Sequence, residues 1–136
     1  MRVGFTGTRN GMTIPQKVQV DILLSQYALH FHHGDCIGAD HTAHYLAVAR
    51  KIPITIHPPI NNKFRAFCYS DDIRKEKDYL DRDRDIVDES DLMIATPKGF
   101  HEELRSGTWH TIRYSKKKNK PLIIVWPDGS SSQFNM

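Results

Sequence analysis

The sequence predicts an α/β domain in which a mostly parallel sheet of about five strands lies between layers of helices. Three observations lead there. Five apolar runs recur along the chain, short and continuous rather than alternating, as strands buried on both faces require. Helix-like segments separate them, and parallel neighbours need such crossovers, which cover both faces of the sheet. With 136 residues the chain is long enough for one full core.

The elements follow in order. After the first run, Val3-Gly4-Phe5, the segment Thr13-Ile14-Pro15-Gln16 is a capping box with proline in the first turn, and it starts a helix. Val18, Ile22, Ser25 and Leu29 share one face of that helix, widened by Leu23 and Tyr27. The second run, Ala28 to Phe31, gives a strand ending near His33, then a helix from Ala39 to about Arg50. Its face of Ala43, Leu46, Ala47 and Arg50 suits close packing on a sheet. Ile52 to Ile56 is the third run.

Leu80 to Glu89 alternates in charge around Ile86 and Val87 and reads as a short helix. Its run Asp81-Arg82-Asp83-Arg84-Asp85 reads as a solvated face, or as arginines reaching a partner subunit's pocket. Leu92 to Ala95 is the fourth strand. A last helix runs from about Thr108 to Lys118 with Trp109 and Ile112 inward, and Leu122 to Trp126 is the fifth strand. Lys116, Lys117, Lys118 and Lys120 complement the dipole at that helix's end. Residues 1–128 then form a single domain, and the polar residues 129–136 a flexible tail.

One segment breaks the rhythm. Between Ile56 and Tyr79 the chain runs through His57-Pro58-Pro59, Asn61-Asn62 and Lys63-Phe64-Arg65-Ala66-Phe67-Cys68-Tyr69. So long a connection is either a flap closing over a base and a phosphate or a partly helical surface excursion.

Composition excludes several classes. A net charge of +3 argues for no nucleic-acid partner by itself, and no apolar run is long enough to span a membrane. Two cysteines, Cys36 and Cys68, form no disulfide framework and no zinc pattern. Cys36 reads as a packing residue. His32-His33, His41 and His44 lack an acidic or cysteine ligand that would complete a recognised metal pattern, so neither a metal nor a cofactor is expected. A reducing, cytoplasmic setting is the expectation.

The chemistry sits in three glycine-bearing loops that follow strands: Thr6-Gly7-Thr8-Arg9, His33-Gly34-Asp35-Cys36-Ile37-Gly38-Ala39-Asp40, and Arg105-Ser106-Gly107-Thr108-Trp109. Free N–H groups at a helix start favour anions, and glycines let backbone approach a ligand. A doubly wound sheet binds ligands beyond the carboxyl ends of its strands. Neither a G-x-G-x-x-G fingerprint nor a P-loop is present, which sets aside nicotinamide chemistry and ATP hydrolysis. Asp40 reads equally as a helix cap and as a ligand group. Asp35 leans functional.

These residues resemble a known family. His33 to Asp40 followed by Ala43-His44 is similar to the glycine-rich strand–helix motif of the SLOG superfamily, which joins the DNA-processing protein DprA to the LOG phosphoribohydrolases. Ser106-Gly107-Thr108 resembles the core of its phosphate-gripping Gly-Gly-x-Gly-Thr loop. Gly4-Phe5-Thr6-Gly7-Thr8-Arg9 and the strand Asp91-Leu92-Met93-Ile94-Ala95-Thr96-Pro97 are similar too. Within the superfamily the chain resembles the YspA/YpsA-related branch of small bacterial and phage proteins.

The resemblance implies a Rossmann-like fold that binds a nucleotide or nucleotide-derived molecule in a homo-oligomer, a dimer or higher. It places phosphate on Ser106, Gly107 and Thr108, with Arg105 beside them. Gly7, Gly34, Gly38 and Ala39 would allow close approach, Asp35 or Asp40 would bond ribose hydroxyls, and Thr8, Arg9, Thr96 and Pro97 would line the same pocket. Two departures matter: the catalytic glutamate position of LOG enzymes is Thr111, and Leu104-Arg105 replaces the glycine pair. Breaking an N-glycosidic bond needs a carboxylate and often a second acid. Glu102 or Glu103 could supply a substitute from just before the loop, and Asp35, Asp40 and Glu103 are the candidates for those roles. A sensor, carrier or sequestering protein is favoured. The alternative is an N-glycosidic hydrolase or transferase, and a DprA-like DNA-binding module is disfavoured by charge.

Overall fold

A computed structural model describes all residues, 1–136. Strands β1 (Arg2–Gly7), β2 (His30–His33), β3 (Ile54–Ile56), β4 (Asp72–Ile73), β5 (Leu92–Thr96), β6 (Leu122–Val125) and β7 (Ser131–Phe134) form one sheet in the order β4-β3-β2-β1-β5-β6-β7. Every neighbouring pair is parallel except β6 with β7. Helices α1 (Ile14–Tyr27), α2 (Ala39–Ala49), α3 (Tyr79–Glu89) and α4 (Gly107–Lys117) complete the three layers. The three-layer, mostly parallel architecture is the expected one. No helix is long and apolar enough to cross a membrane.

Strand alternation divides the core in two. Val3, Phe5, Phe31, Leu92, Ile94, Ile123 and Val125 face α1 and α2, while Met93, Ala95, Leu122 and Ile124 face α3 and α4. Because both faces are covered, these strands read as continuous apolar runs. Chain order runs outward from β1 to β4 and then restarts at β5 on the other side. The reversal between β1 and β5 opens a crevice at their carboxyl ends.

Three expectations need correction. On α1 the inward residues are Gln16, Val20, Leu23 and Leu24, while Val18 and Ile22 are exposed, as is Leu29 beyond the helix end. The capping box of Thr13 and Gln16 forms as expected. However, the Gln16 side-chain amide also donates to the carbonyl oxygens of Pro97 and Val125 at 2.9 and 3.0 Å. That anchor turns the face of Gln16 and Val20 to the sheet, and Val18 lies two residues round the helix from it.

Residues 129–136, expected as a tail, carry β7, whose Gln133 and Ser132 pair with Ile123 and Ile124 of β6. The pairing is made by backbone, and a polar edge strand gives no apolar signal.

The segment 57–79 is partly helical, as one of its two readings had it, but it also adds a strand to the sheet and is tied down. A short 3₁₀ turn at Asn62–Phe64 and strand β4 give it structure. Asp35 holds it: its fully buried carboxylate accepts from Arg65 Nε at 2.8 Å and from the Cys68 N–H at 2.9 Å, and its carbonyl accepts from the Ala66 N–H.

Candidate functional site

A cleft of about 750 Å³ opens at the crevice between β1 and β5. Three of its walls are the loops singled out from sequence. The β1–α1 turn contributes Gly7, Thr8 and Arg9, the β2–α2 turn Gly34, Cys36 and Asp40, and the loop before α4 Glu103, Arg105, Ser106, Gly107 and Thr108. The fourth wall is the 57–79 segment, through Asn61 and Phe64, and the start of α3, through Tyr79, Arg82 and Asp83.

The two helix starts differ. At α4 the Ser106 hydroxyl caps the helix by accepting from the Trp109 N–H at 3.2 Å. The earlier first-turn N–H groups have no acceptor within the helix. A Cβ built on Gly107 meets nothing within 4 Å, so the space before this helix is open. At α2 the Ala39 N–H already donates to the Thr8 carbonyl at 3.0 Å, and the Asp40 carboxylate stands in the first turn. An anion is therefore served by α4 and not by α2.

Asp40 is a strongly perturbed group of the cleft. One carboxylate oxygen accepts from the Cys36 N–H at 3.1 Å, and the other is buried without a partner. Burial pushes its carboxyl up to about 7, against the pull of the Arg82 charge and the Cys36 N–H. Near neutrality it can keep its proton and donate a hydrogen bond. Asp83 is also raised, by burial, although Arg82 Nε donates to it at 2.7 Å. Arg82 Nη1 donates to the carbonyl oxygens of Gly34 and His57 as well. Burial raises the Cys36 thiol to about 11, so it is no thiolate nucleophile.

A stability measurement checks this reading of Asp40. Unfolded, the group titrates near its ordinary 3.8; folded, near 7. Between those values the native protein holds a proton that the unfolded chain has released, so this residue's contribution to stability falls as pH rises through the window and is level above it. Asp40→Asn removes that loss. Relative to wild type, the variant should be little changed at pH 4 and about 2–4 kcal/mol more stable at pH 8. The difference between the two proteins isolates Asp40 from the buried histidines, which titrate with the opposite sign. Parallel curves for the two would mean the carboxyl ionises freely in the fold.

The cleft also carries cations. Arg9 lies with its guanidinium carbon 3.9 Å from the centre of the Phe64 ring, making a flat, charged wall. Lys98 pairs with Glu103 at 3.4 Å on the rim, beside Arg105.

Not every expected residue is there. Asp35 is sealed behind the cleft as the anchor of the 57–79 segment and does not line it. Gly38, Ala39, Thr96 and Pro97 do not line it either. Ala39, Thr96 and Pro97 are buried, and Gly38 has φ +85 with its would-be Cβ running into the Arg9 carbonyl. These positions pack the loops against one another.

Conversely, Phe64, Arg82 and Asp83 were not among the expected site residues. Arg82 and Ile86, four apart, are both buried on α3, so the run Asp81 to Asp85 is not simply a solvated face. Thr111 lines the cleft and its hydroxyl donates to the Gly107 carbonyl at 3.1 Å.

In sequence the chain matches no protein-family model and no curated protein. In structure it is similar to the molybdenum cofactor binding protein from the phototrophic bacterium Rippkaea orientalis, with a TM-score of 0.69 and 19% identity over 92% of this chain and 76% of that one. It is similar to DNA processing protein A from Helicobacter pylori, with a TM-score of 0.64 and 20% identity over 91% and 64%. The molybdenum cofactor carrier protein MCP from Chlamydomonas reinhardtii gives a TM-score of 0.60 and 18% identity over 90% and 75%. What the chain shares with all three is the Rossmann-like fold.

Proposed function

We propose that the cleft binds a nucleotide or nucleotide-derived small molecule and that the protein carries, senses or sequesters it. One observation supports this above the others: the open start of α4 and the Thr8–Arg9 turn share one cleft at the strand-order reversal. A phosphate suits the first-turn N–H groups of α4, with Arg105 beside them. A planar ring suits the face of Phe64, which Arg9 backs. The neutral carboxyl of Asp40 suits a ribose hydroxyl or a ring nitrogen. The volume lies within the range of small-molecule sites. That two structures of this fold are described as binding or carrying a molybdenum cofactor supports carriage.

Mass spectrometry of small molecules released from the purified, denatured protein tests the proposal. A nucleotide or nucleotide derivative near one equivalent per chain is the expected result. An empty protein that also fails to bind any of a panel of mono- and dinucleotides below about 1 mM would overturn it. Salt-sensitive binding of single-stranded DNA without such a ligand would replace it with a nucleic-acid role.

The second reading, cleavage of an N-glycosidic bond, rests on the unpartnered oxygen of Asp40 and its raised pKa. Asp40 would protonate the departing base, and Glu103 would stabilise the oxocarbenium-like sugar or activate water. Free base released from nucleoside monophosphates, and abolished by Asp40→Ala or Glu103→Ala, would establish it. Thr111, at the family's glutamate position, supplies no acid.

A homo-oligomer is part of this proposal. Ile14, Val18 and Ile22 form an exposed apolar row on α1, with Tyr45 and Val48 exposed on the neighbouring α2. Sedimentation at micromolar concentration should give twice the chain mass or more, and a monomer there would remove this part.

A further inference from the structure

Outside the cleft, the sequence's histidines sort themselves by strand alternation. His32 and His33 point to opposite faces of β2. His33 Nε2 meets His44 Nδ1 of α2 at 2.9 Å, on one side of the sheet. His32 Nδ1 meets His57 Nε2 at 2.9 Å, on the other. Glu89, in the last turn of α3, completes a group: one ligand atom from each of His32, His57 and Glu89 lies within 4.8 Å of the others. We propose that these three side chains bind a divalent transition-metal ion of the zinc type.

The donor set fits that chemistry. Two imidazoles and one carboxylate are a common zinc triad, and imidazole ligands also suit cobalt and nickel. Zinc–ligand distances of about 2.0–2.1 Å put tetrahedral neighbours roughly 3.3 Å apart, so the facing nitrogens need open by only a few tenths of an ångström. The ligands sit on β2, at the end of β3 and on α3, all fixed by the sheet and its helix layer.

Two buried histidine nitrogens that face each other share one proton, whereas a metal takes a lone pair from each.

The opposing charge is Arg74, whose Nη2 pairs with Glu89 at 2.8 Å. It is half-exposed and also reaches Asp72 at 3.4 Å, so it keeps a partner when Glu89 turns to a metal. Glu89 is partly exposed and gives the ion a way in. The site is separate from the cleft, since none of its three residues lines it. It nevertheless braces the cleft floor, because Arg82 donates to the His57 carbonyl at 3.2 Å.

The test uses the full chain stripped with a chelator and titrated with zinc chloride against a chromogenic competitor. One equivalent should bind with a dissociation constant at or below about 1 μM, and cobalt chloride should give a visible ligand-field spectrum. Zinc should raise the melting temperature of wild type. Glu89→Gln, a partly exposed change that spares the core, should weaken zinc at least tenfold and abolish that rise, and His57→Ala should do the same. His41→Ala and His101→Ala should leave affinity unchanged. Less than one equivalent bound by wild type, or wild-type affinity retained by Glu89→Gln, would overturn the site.

Discussion

Gly107→Asp should lower the affinity for a phosphate-bearing ligand by at least 100-fold while leaving the fold intact. The backbone at Gly107 has no positive φ, and a Cβ there meets nothing within 4 Å, so the substitution starts into open space. A carboxylate in the first turn of a helix is moderately stabilising, by about 0.3–1 kcal/mol. That same carboxylate would occupy the first-turn N–H groups and place a negative charge where the phosphate must sit. A 100-fold loss corresponds to about 2.7 kcal/mol. The measurement is calorimetric titration with the tightest-binding nucleoside monophosphate of the panel, beside a thermal melt. Gly107→Ala, small and neutral, should cost far less. A Gly107→Asp protein that binds as wild type does would rule out the start of α4 as the anion site.

Asp35→Ala should be the most destabilising single change in the β2–α2 turn, by about 3–5 kcal/mol. The carboxylate is fully buried and paired with Arg65, itself largely covered, and with the Cys68 N–H. Removing it strands a guanidinium and an amide donor away from water. Asp35 also holds φ +57, where alanine is strained and asparagine is tolerated. Asp35→Asn, which keeps one acceptor and the backbone shape, should therefore lose less. Hydrogen exchange should show the 60–73 backbone losing protection before the central strands do. A variant that unfolds at wild-type denaturant but no longer binds ligand would return Asp35 to the cleft.

These two residues show what could be read in advance. The inner strands were legible because burial on both faces demands continuous apolar runs, and Leu92 to Ala95 or Leu122 to Val125 can hardly be anything else. Strand β4 is two residues long and β7 is polar, so neither leaves a hydrophobic trace. The three loops were legible through their glycines. Within a loop, however, neighbours face different ways: Asp35 turns inward to the 57–79 segment, while Gly34 and Cys36 line the cleft. Thr96, Pro97, Gly38 and Ala39 pack where ligand contact was expected, for the same reason. Arg82 and Phe64 come from remote segments and join the site only through tertiary packing. The hints were that Phe64 stands in the segment read as a flap and that Arg82 precedes the buried Ile86 by a single helical turn. Likewise His32 gives no sign of its meeting with His57 and Glu89, which are separated from it by 25 and 57 positions.

The two outermost strands carry a consequence for self-association. At one rim β4 offers two residues, flanked by Asp71 and Arg74; at the other β7 offers a serine-rich stretch bonded to β6 on its inner side. Short, hydrophilic margins are poor templates for cross-chain β-pairing. Copies of this chain that meet will add no eighth strand to a common ribbon, and crowding should not drive them into fibres along that axis.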